Sequence, residues 1–258
     1  MSKLIFFDID GTLIAEHDHN VPQSARDAIV EAQKKGHICV VNTGRCESLV
    51  GDWLQDQVPF DGYLLGCGTR VTYKGEVLLQ TTLSETDGMR VIGALEKHKI
   101  DAILEGTHNC YHKDIEAMYH PEFQRYAGTF LGKGFGTLEE AVGAFDKFFC
   151  YAGSREVIDA FLAEVPGLLW AIDRGNGYFE VVPVGYSKAS GMQFLTEYLG
   201  VDRKDTVAIG DSNNDLTMLE WAGMAIAMGN AVDTVKEIAD YITTDVKKDG
   251  IRNALALF

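Results

Sequence analysis

The sequence predicts an α/β protein: a Rossmann-like, doubly wound parallel sheet core with an inserted α+β domain. Three observations predict it. Short apolar runs alternate with helical patterns near both ends of the chain. Two acidic motifs, Asp8-Ile9-Asp10-Gly11-Thr12 and Gly210-Asp211-Ser212-Asn213-Asn214-Asp215, each follow one such run directly. The middle of the chain loses the alternation and carries a hairpin pattern instead.

The runs Leu4–Phe7, Ile38–Val41, Tyr63–Leu65, Val207–Ile209 and Ala225–Ala227 are short, and several are β-rich. They suit strands buried on both faces, as in a parallel sheet. Ser24–Lys35 places Ala25, Ala28, Ile29 and Ala32 at helical spacing, with Pro22 before it and Gly36 after it. Ser187–Leu199 reads as a helix with Ser187 as N-cap and Gly200 just past its end. Asp215–Trp221, Ala231–Ala239 and Asp249–Leu257 add shorter helical patterns. Strand–helix–strand repetition of this kind builds a doubly wound sheet.

From about Ser84 to Gly185 the pattern changes. A helix is expected over Glu85–His98, strands over Ala102–Glu105 and His108–His112, and helical stretches over Pro121–Tyr126 and Leu138–Phe145. A strand (Lys147–Ala152), a helix (Arg155–Glu164) and a hairpin (Leu168–Ile172 with Tyr178–Val182, turned by 173–177) complete the module. The expected division is therefore core 1–83, inserted module 84–185 and core 186–258.

Composition limits the function classes. The chain has 258 residues, enough to bury a large core without disulfide or metal staples. Hydrophobic residues make up 46% and charged residues 24%, an ordinary globular balance. Lys+Arg 23 against Asp+Glu 38 leaves −15, which disfavours nucleic acid or an anionic membrane as partner, since both need a basic face. Cys39, Cys46, Cys67, Cys110 and Cys150 are odd in number, widely spaced and without a CxxC, as for packed thiols in a reducing compartment. Leu4–Phe7 is too short for a signal-peptide core, and no stretch reaches transmembrane length. A soluble cytoplasmic protein, monomer or homodimer, is expected.

The chemistry-bearing residues sit where strands end. Asp8 and Asp10 follow Leu4–Phe7, at the edge where open α/β sheets bind ligands, although an isolated acidic turn would read the same way. Asp211 and Asp215 repeat that placement after Val207–Ile209, with Asp215 also suited to an N-cap or first-turn position. Asn42-Thr43-Gly44-Arg45 after Ile38–Val41 offers a hydroxyl and backbone amides able to hold a phosphate oxygen; a plain turn is the simpler alternative. Lys188 opposes the macrodipole at a helix start, a small local cost that favours a functional role. Four aspartates gathered at one edge would repel unless a hard divalent cation sat among them, and oxygen-only ligands favour Mg²⁺ over Zn²⁺. Such a cation, a lysine and a Thr/Gly turn suit phosphate.

With these motifs in this order, DIDGT at 8–12, NTGR at 42–45, Lys188 and GDSNND at 210–215, the chain resembles the haloacid dehalogenase-like superfamily of phosphotransferases. The resemblance covers essentially the whole chain, and the insertion of about 100 residues is similar to the cap of the Cof-type, subclass IIB sugar-phosphatase-like members. It implies Asp8 as the nucleophile that forms an aspartyl-phosphate. It implies Asp10 as general acid/base, with its backbone carbonyl on Mg²⁺. Thr43 and Gly44 would hold the phosphoryl group, and Lys188 would neutralise Asp8 and the phosphoryl oxygens. Asp211 would ligate Mg²⁺, Asp215 would support the metal through water, and Asn214 would contact phosphate or orient Lys188. The implied activity is hydrolysis of small phosphorylated metabolites, such as sugar phosphates or cofactor precursors. A phosphomutase or phosphotransferase, or a non-catalytic phosphometabolite-binding regulator, stays open as an alternative.

The sequence departs from that family at Gly66-Cys67-Gly68-Thr69, where many relatives carry an Asn-Gly-Ala type turn; Cys67 reads as a packed thiol. Arg45 reads either as a residue reaching into the site or as a surface ion-pair partner. His108-x-Cys110-x-His112 would alternate on one strand face but lacks further ligands for a tetrahedral metal. Within the inserted module, His108, His112, His120 and Arg125 are candidates to touch substrate.

Overall fold

The computed structural model describes residues 2–15, 18–130 and 135–258. By contact density they fall into two units, one of Met1–Arg45, Leu49–Gln80 and Tyr186–Phe258, the other of Cys46–Ser48 and Thr81–Gly185. In chain order the first unit begins with β1 (Leu4–Phe7), α1 (Gln23–Lys34), β2 (Ile38–Asn42), most of α2 (Glu47–Gln55), β3 (Gly62–Leu65), β4 (Arg70–Tyr73) and β5 (Glu76–Gln80). The second unit holds α3 (Glu85–Lys97), β6 (Asp101–Glu105), β7 (Cys110–Tyr111), α4 (Pro121–Phe130), β8 (Lys147–Tyr151), α5 (Arg155–Glu164), β9 (Leu169–Gly175) and β10 (Tyr178–Pro183). The chain then returns to the first unit with α6 (Lys188–Leu199), β11 (Thr206–Gly210), α7 (Leu216–Trp221), β12 (Met224–Ala227), α8 (Asp233–Ile238), β13 (Tyr241–Ile242) and α9 (Gly250–Leu255).

The first unit is built on one sheet of order β13-β12-β11-β1-β2-β3-β4-β5. From β13 to β3 every pairing is parallel. The central strands β1 and β11 are buried along their whole length, as their unbroken apolar runs require. Beyond β3 the sheet ends in an antiparallel hairpin, β4–β5, turned at Lys74-Gly75. That hairpin extends the expected parallel core; its sequence signal is the Lys-Gly pair between two β-rich runs. Successive strands run β1-β2-β3 one way from β1, and β11-β12-β13 the other way. Right-handed crossovers then put the helices of the two halves on opposite faces. Thus α7, between β11 and β12, packs with α6 and α8, whereas α9, after the last strand, crosses back to pack with α1.

Local chemistry sets the helix limits. Ser187 caps α6, its hydroxyl accepting from the Ser190 amide while Ser190 returns the bond, and Gly200 closes the helix in a left-handed turn. Ser84 and Ser154 cap α3 and α5, their side chains accepting from the Asp87 and Val157 amides.

The second unit has a sheet of order β7-β6-β8-β10-β9, antiparallel throughout. The period of two divides its residues between faces. Leu104, Phe148, Phe179 and Val181 pack with Val91 and Leu95 of α3 and Ile158 and Phe161 of α5. Phe149, Tyr151 and Tyr178 form an aromatic cluster with Phe123 and Tyr126 of α4. Buried Lys147 is held by Glu105 at 2.8 Å and Glu180 at 2.5 Å, which pairs the charges that burial would otherwise penalise.

Two expectations for the inserted module are corrected. Leu138–Phe145 forms turns, not a helix, because Gly143 sits at φ +74°, outside helical geometry. The strand expected over His108–His112 shrinks to Cys110–Tyr111. Gly106 and Asn109 pair across the tight turn from β6, and the Asn109 side chain caps the Cys110 amide, so His108 lies in the turn. His112 instead contacts the Lys113 carbonyl through Nδ1, and His120 bonds Asp101 at 2.9 Å. All five cysteines are buried free thiols, as expected.

Candidate active site

The strand order reverses between β1 and β11, which makes their C-terminal ends the topological switch point of the sheet. Parallel register aligns Phe7 with Ile209, and the Asp8 amide bonds the Ile209 carbonyl at 3.1 Å. Asp8 therefore leaves β1 directly beside the loop that follows β11. There Asp211 and Asp215 complete a cluster in which one carboxylate oxygen from each of Asp8, Asp211 and Asp215 lies within 4.8 Å of the others.

Lys188 reaches this cluster from the first turn of α6. Its Nζ donates to Asp8 Oδ1 at 2.6 Å and to Asp215 Oδ1 at 2.5 Å, and its side chain is fully buried. The lysine is thus a paired interior cation and not a solvated surface group. Asn42, at the end of β2, fixes the helix start by donating to the Lys188 carbonyl at 3.0 Å. The other Asp215 oxygen accepts from the Asp211 and Ser212 amides at 2.9 Å each, so Asp215 also shapes the turn after β11. Thr12 donates its hydroxyl to Asp211 Oδ1 at 2.9 Å. Gly11 lets the two loops meet: at φ +80°, a Cβ there would stand 2.2 Å from Asp211 Oδ2.

Asp10 lies outside that carboxylate cluster. Its carboxylate is gripped by Arg45, whose Nε donates to Oδ2 at 2.8 Å and whose Nη2 donates to Oδ1 at 2.5 Å. A guanidinium therefore holds the Asp10 carboxylate beside the three-oxygen cluster, at the same sheet edge, and its charge is still felt by Asp8. Thr43 is buried, its amide bonded to the Leu64 carbonyl and its hydroxyl accepting from the Arg45 amide at 3.1 Å. Gly44 lies between them. The loop after β3 ties back to this turn, with Cys67 donating its amide to the Thr43 carbonyl at 3.0 Å. Asn214 accepts from the Ser212 hydroxyl at 2.6 Å, whereas Lys188 is oriented by Asp8 and Asp215.

Three residues around the site carried no assigned role in the sequence: Asn42, Thr12 and Asn230. Asn42 and Thr12 lie inside the recognised motifs. Asn230 donates to the Gly11 carbonyl at 2.7 Å and accepts from the Val246 amide, bracing the Asp10–Gly11 turn. Its only signal was a Gly-Asn pair after the strand β12.

Burial and crowding raise the carboxylates. Asp8 is pushed to about 7, first by burial and then by the charge of Asp215, against the pull of Lys188. Asp211 is pushed to about 8 by burial, Asp8 and Asp215, with the Thr12 hydrogen bond opposing. For Lys188, burial works against the charge, but Asp215 and Asp8 outweigh it and hold the ammonium above its ordinary range. The site is thus a buried group of three carboxyls with one paired ammonium.

The sequence model of the haloacid dehalogenase-like hydrolases matches residues 5–255. The chain belongs to this family. YkrA of Bacillus subtilis (strain 168), named as a phosphatase without a substrate, is 33% identical over 98% of this chain and 96% of its own length. A 5-amino-6-(5-phospho-D-ribitylamino)uracil phosphatase of the same organism, YcsE, is 28% identical over 98% of this chain and 94% of its own. Among solved structures, the subclass IIB sugar phosphatase BT4131 superposes with a TM-score of 0.85 and 27% identity, over 100% of this chain and 99% of that one. This chain is accordingly a haloacid dehalogenase-like phosphatase, an enzyme acting on a small phosphorylated substrate. Among its described residues no helix is long and apolar enough to cross a membrane.

The donor set of this phosphatase suits a hard divalent cation. The clustered side chains are all carboxylates, and Asp8 and Asp211, raised first by burial, are raised further by one neighbouring carboxylate or more. Both oxygens of Asp215 are already engaged, by Lys188 on one side and two amides on the other. That occupancy favours Asp8 and Asp211 as the direct ligands, with Asp215 behind them.

Proposed function

We propose that this phosphatase is Mg²⁺-dependent and hydrolyses small phosphorylated metabolites, sugar phosphates or cofactor precursors, through an aspartyl-phosphate. The observation that carries the reading is the buried Asp8–Lys188–Asp215 array with Asp211 beside it at the sheet's switch point. Asp8 attacks phosphorus and the ester P–O bond breaks. Asp10 gives a proton to the leaving oxygen, then takes one from the water that attacks the aspartyl-phosphate, releasing inorganic phosphate and restoring Asp8. Thr43 and the Gly44 amide hold the phosphoryl oxygens, joined by Asn214. Lys188 neutralises Asp8 and those oxygens, which lets one anion approach another. Asp8, Asp211, the Asp10 carbonyl and, through water, Asp215 would hold Mg²⁺, which supplies further charge neutralisation for phosphoryl transfer.

Residues 84–185, inserted into the catalytic unit at 1–83 and 186–258, are proposed to select the organic group. The named activities of the relatives, on a sugar phosphate and on a phosphoribityl compound, direct the choice of substrates. The test is phosphate release from a panel of such compounds, with and without Mg²⁺, beside Asp8→Asn. Release that depends on both Mg²⁺ and Asp8 supports the reading. Isomerisation without net phosphate release would turn it to a mutase, and release unaffected by thorough chelation would remove the metal.

A further inference from the structure

We propose that Arg45 is the positioning residue of Asp10, fixing the carboxylate that moves the proton at the leaving oxygen. The proposal rests on the acid/base reading of Asp10 given above. Asp10 lies past the end of β1, in a turn closed by the Gly11 amide on the Ile14 carbonyl, and its side chain is 42% exposed. Packing covers only part of a carboxylate so placed. Arg45 supplies a further hold. Its side chain is only 16% exposed, and its guanidinium meets both oxygens of Asp10 through two adjacent nitrogens, the fork-on-carboxylate geometry that fixes a plane as well as a distance.

Arg45 is itself held where it stands. Its amide donates to the Thr43 hydroxyl at 3.1 Å, and its carbonyl accepts from the Gly66 amide at 2.9 Å. Its guanidinium carbon lies 5.9 Å from the centre of the Trp53 ring, within cation–π range. The same turn thus presents the Thr43 hydroxyl and aims the arginine. A two-pronged grip uses one lone pair on each Asp10 oxygen and leaves the other, so the carboxyl can still carry and pass a proton while held. A lysine cannot reproduce the grip, because a single ammonium fixes a distance but not a plane.

The test compares leaving groups. A p-nitrophenyl phosphate departs without help, whereas an alkyl ester such as a hexose phosphate needs its oxygen protonated. Rates are measured on both for the wild type, Arg45→Ala, Arg45→Lys and Asp10→Asn, with circular dichroism to confirm each fold. The expected result is that Arg45→Ala lowers kcat on the alkyl ester about tenfold or more beyond its effect on the aryl ester, with KM little changed. Arg45→Lys, which keeps the charge and the length, shows the same selective loss. Asp10→Asn shows it more strongly. Equal losses on both esters, or a rise in KM on both with kcat preserved, would overturn the positioning role while Asp10→Asn still discriminated. If Asp10→Asn itself failed to discriminate, the acid/base reading would fall, and the role of Arg45 with it.

Discussion

The Lys188 ammonium lies 2.6 Å from Asp8 Oδ1, although 180 residues separate the two in sequence. Neither residue is solvated, and the pair exists only because β1 and α6 deliver them to the same interior point. A third member, Asp215, makes the lysine a bridge between two carboxylates. The array unites stability and chemistry in one contact set.

Asp8→Asn is expected to abolish turnover and to leave the fold intact. The amide is isosteric but cannot attack phosphorus, so the loss should be on the order of a thousandfold or more. Phosphate release and a thermal melt check it together. Near-normal rates would end the nucleophile assignment.

Lys188→Ala should cost both activity and stability. It strands Asp8 and Asp215 in a buried site without their cation, and breaking a buried ion pair costs roughly 3–5 kcal/mol. Denaturant unfolding should show the loss. Adding Asp215→Asn to the alanine variant should recover part of it, since one stranded charge is removed. Independent, additive effects would contradict the coupling seen in the geometry.

Metal binding should depend on pH in a stated direction. In the metal-free protein Asp8 is raised to about 7 and Asp211 to about 8. In the unfolded chain each returns to about 3.9. Their ionisation therefore opposes folding: the stability they contribute is full below about 4 and is lost as pH rises through 7 to 8. Mg²⁺ needs both groups ionised, so its binding should release protons and tighten between pH values of about 6 and 8. Calorimetric titration in two buffers of different ionisation enthalpy measures the protons released. Binding that is pH-independent, with no proton release, would contradict the raised values.

Gly11→Ala should disable the site without touching a reacting group. The new methyl would stand 2.2 Å from Asp211 Oδ2 on a backbone at φ +80°, so either the loop or the carboxylate must move. Strain of this kind costs roughly 1–3 kcal/mol. Activity should fall far more than stability, and Mg²⁺ affinity should fall with it. An alanine variant with unchanged metal affinity would mean that Asp211 has freedom to yield.

Much of this protein was legible in one dimension. The strands around the site lie where their apolar runs placed them, β1 at Leu4–Phe7 and β11 around Val207–Ile209, because full burial demands continuous hydrophobicity. The limits of α5, Arg155–Glu164, lie where the helical pattern places them, and the Ser187 cap of α6 follows from local capping chemistry. The motif residues Asp8, Thr43, Lys188 and Asp211 could be named because each follows a strand or opens a helix, a placement written in adjacent letters.

What the sequence could not settle depends on partners distant along the chain. Arg45 was open between site and surface until its fork was found on Asp10. Asp10 shares the sheet edge with Asp8, Asp211 and Asp215, but that its carboxylate rests on a guanidinium beside their cluster is a matter of distances, which like residues in like motifs do not give. Leu138–Phe145 has a helical composition, yet Gly143 at φ +74° turns it aside, and His108 falls into a turn made by Gly106 and Asn109. Periodicity and capping are local energies, so the sequence alone determined the elements and the residue types at their ends. Pairing, burial and raised carboxylates are energies of groups brought together across the chain, and only the tertiary structure decided them.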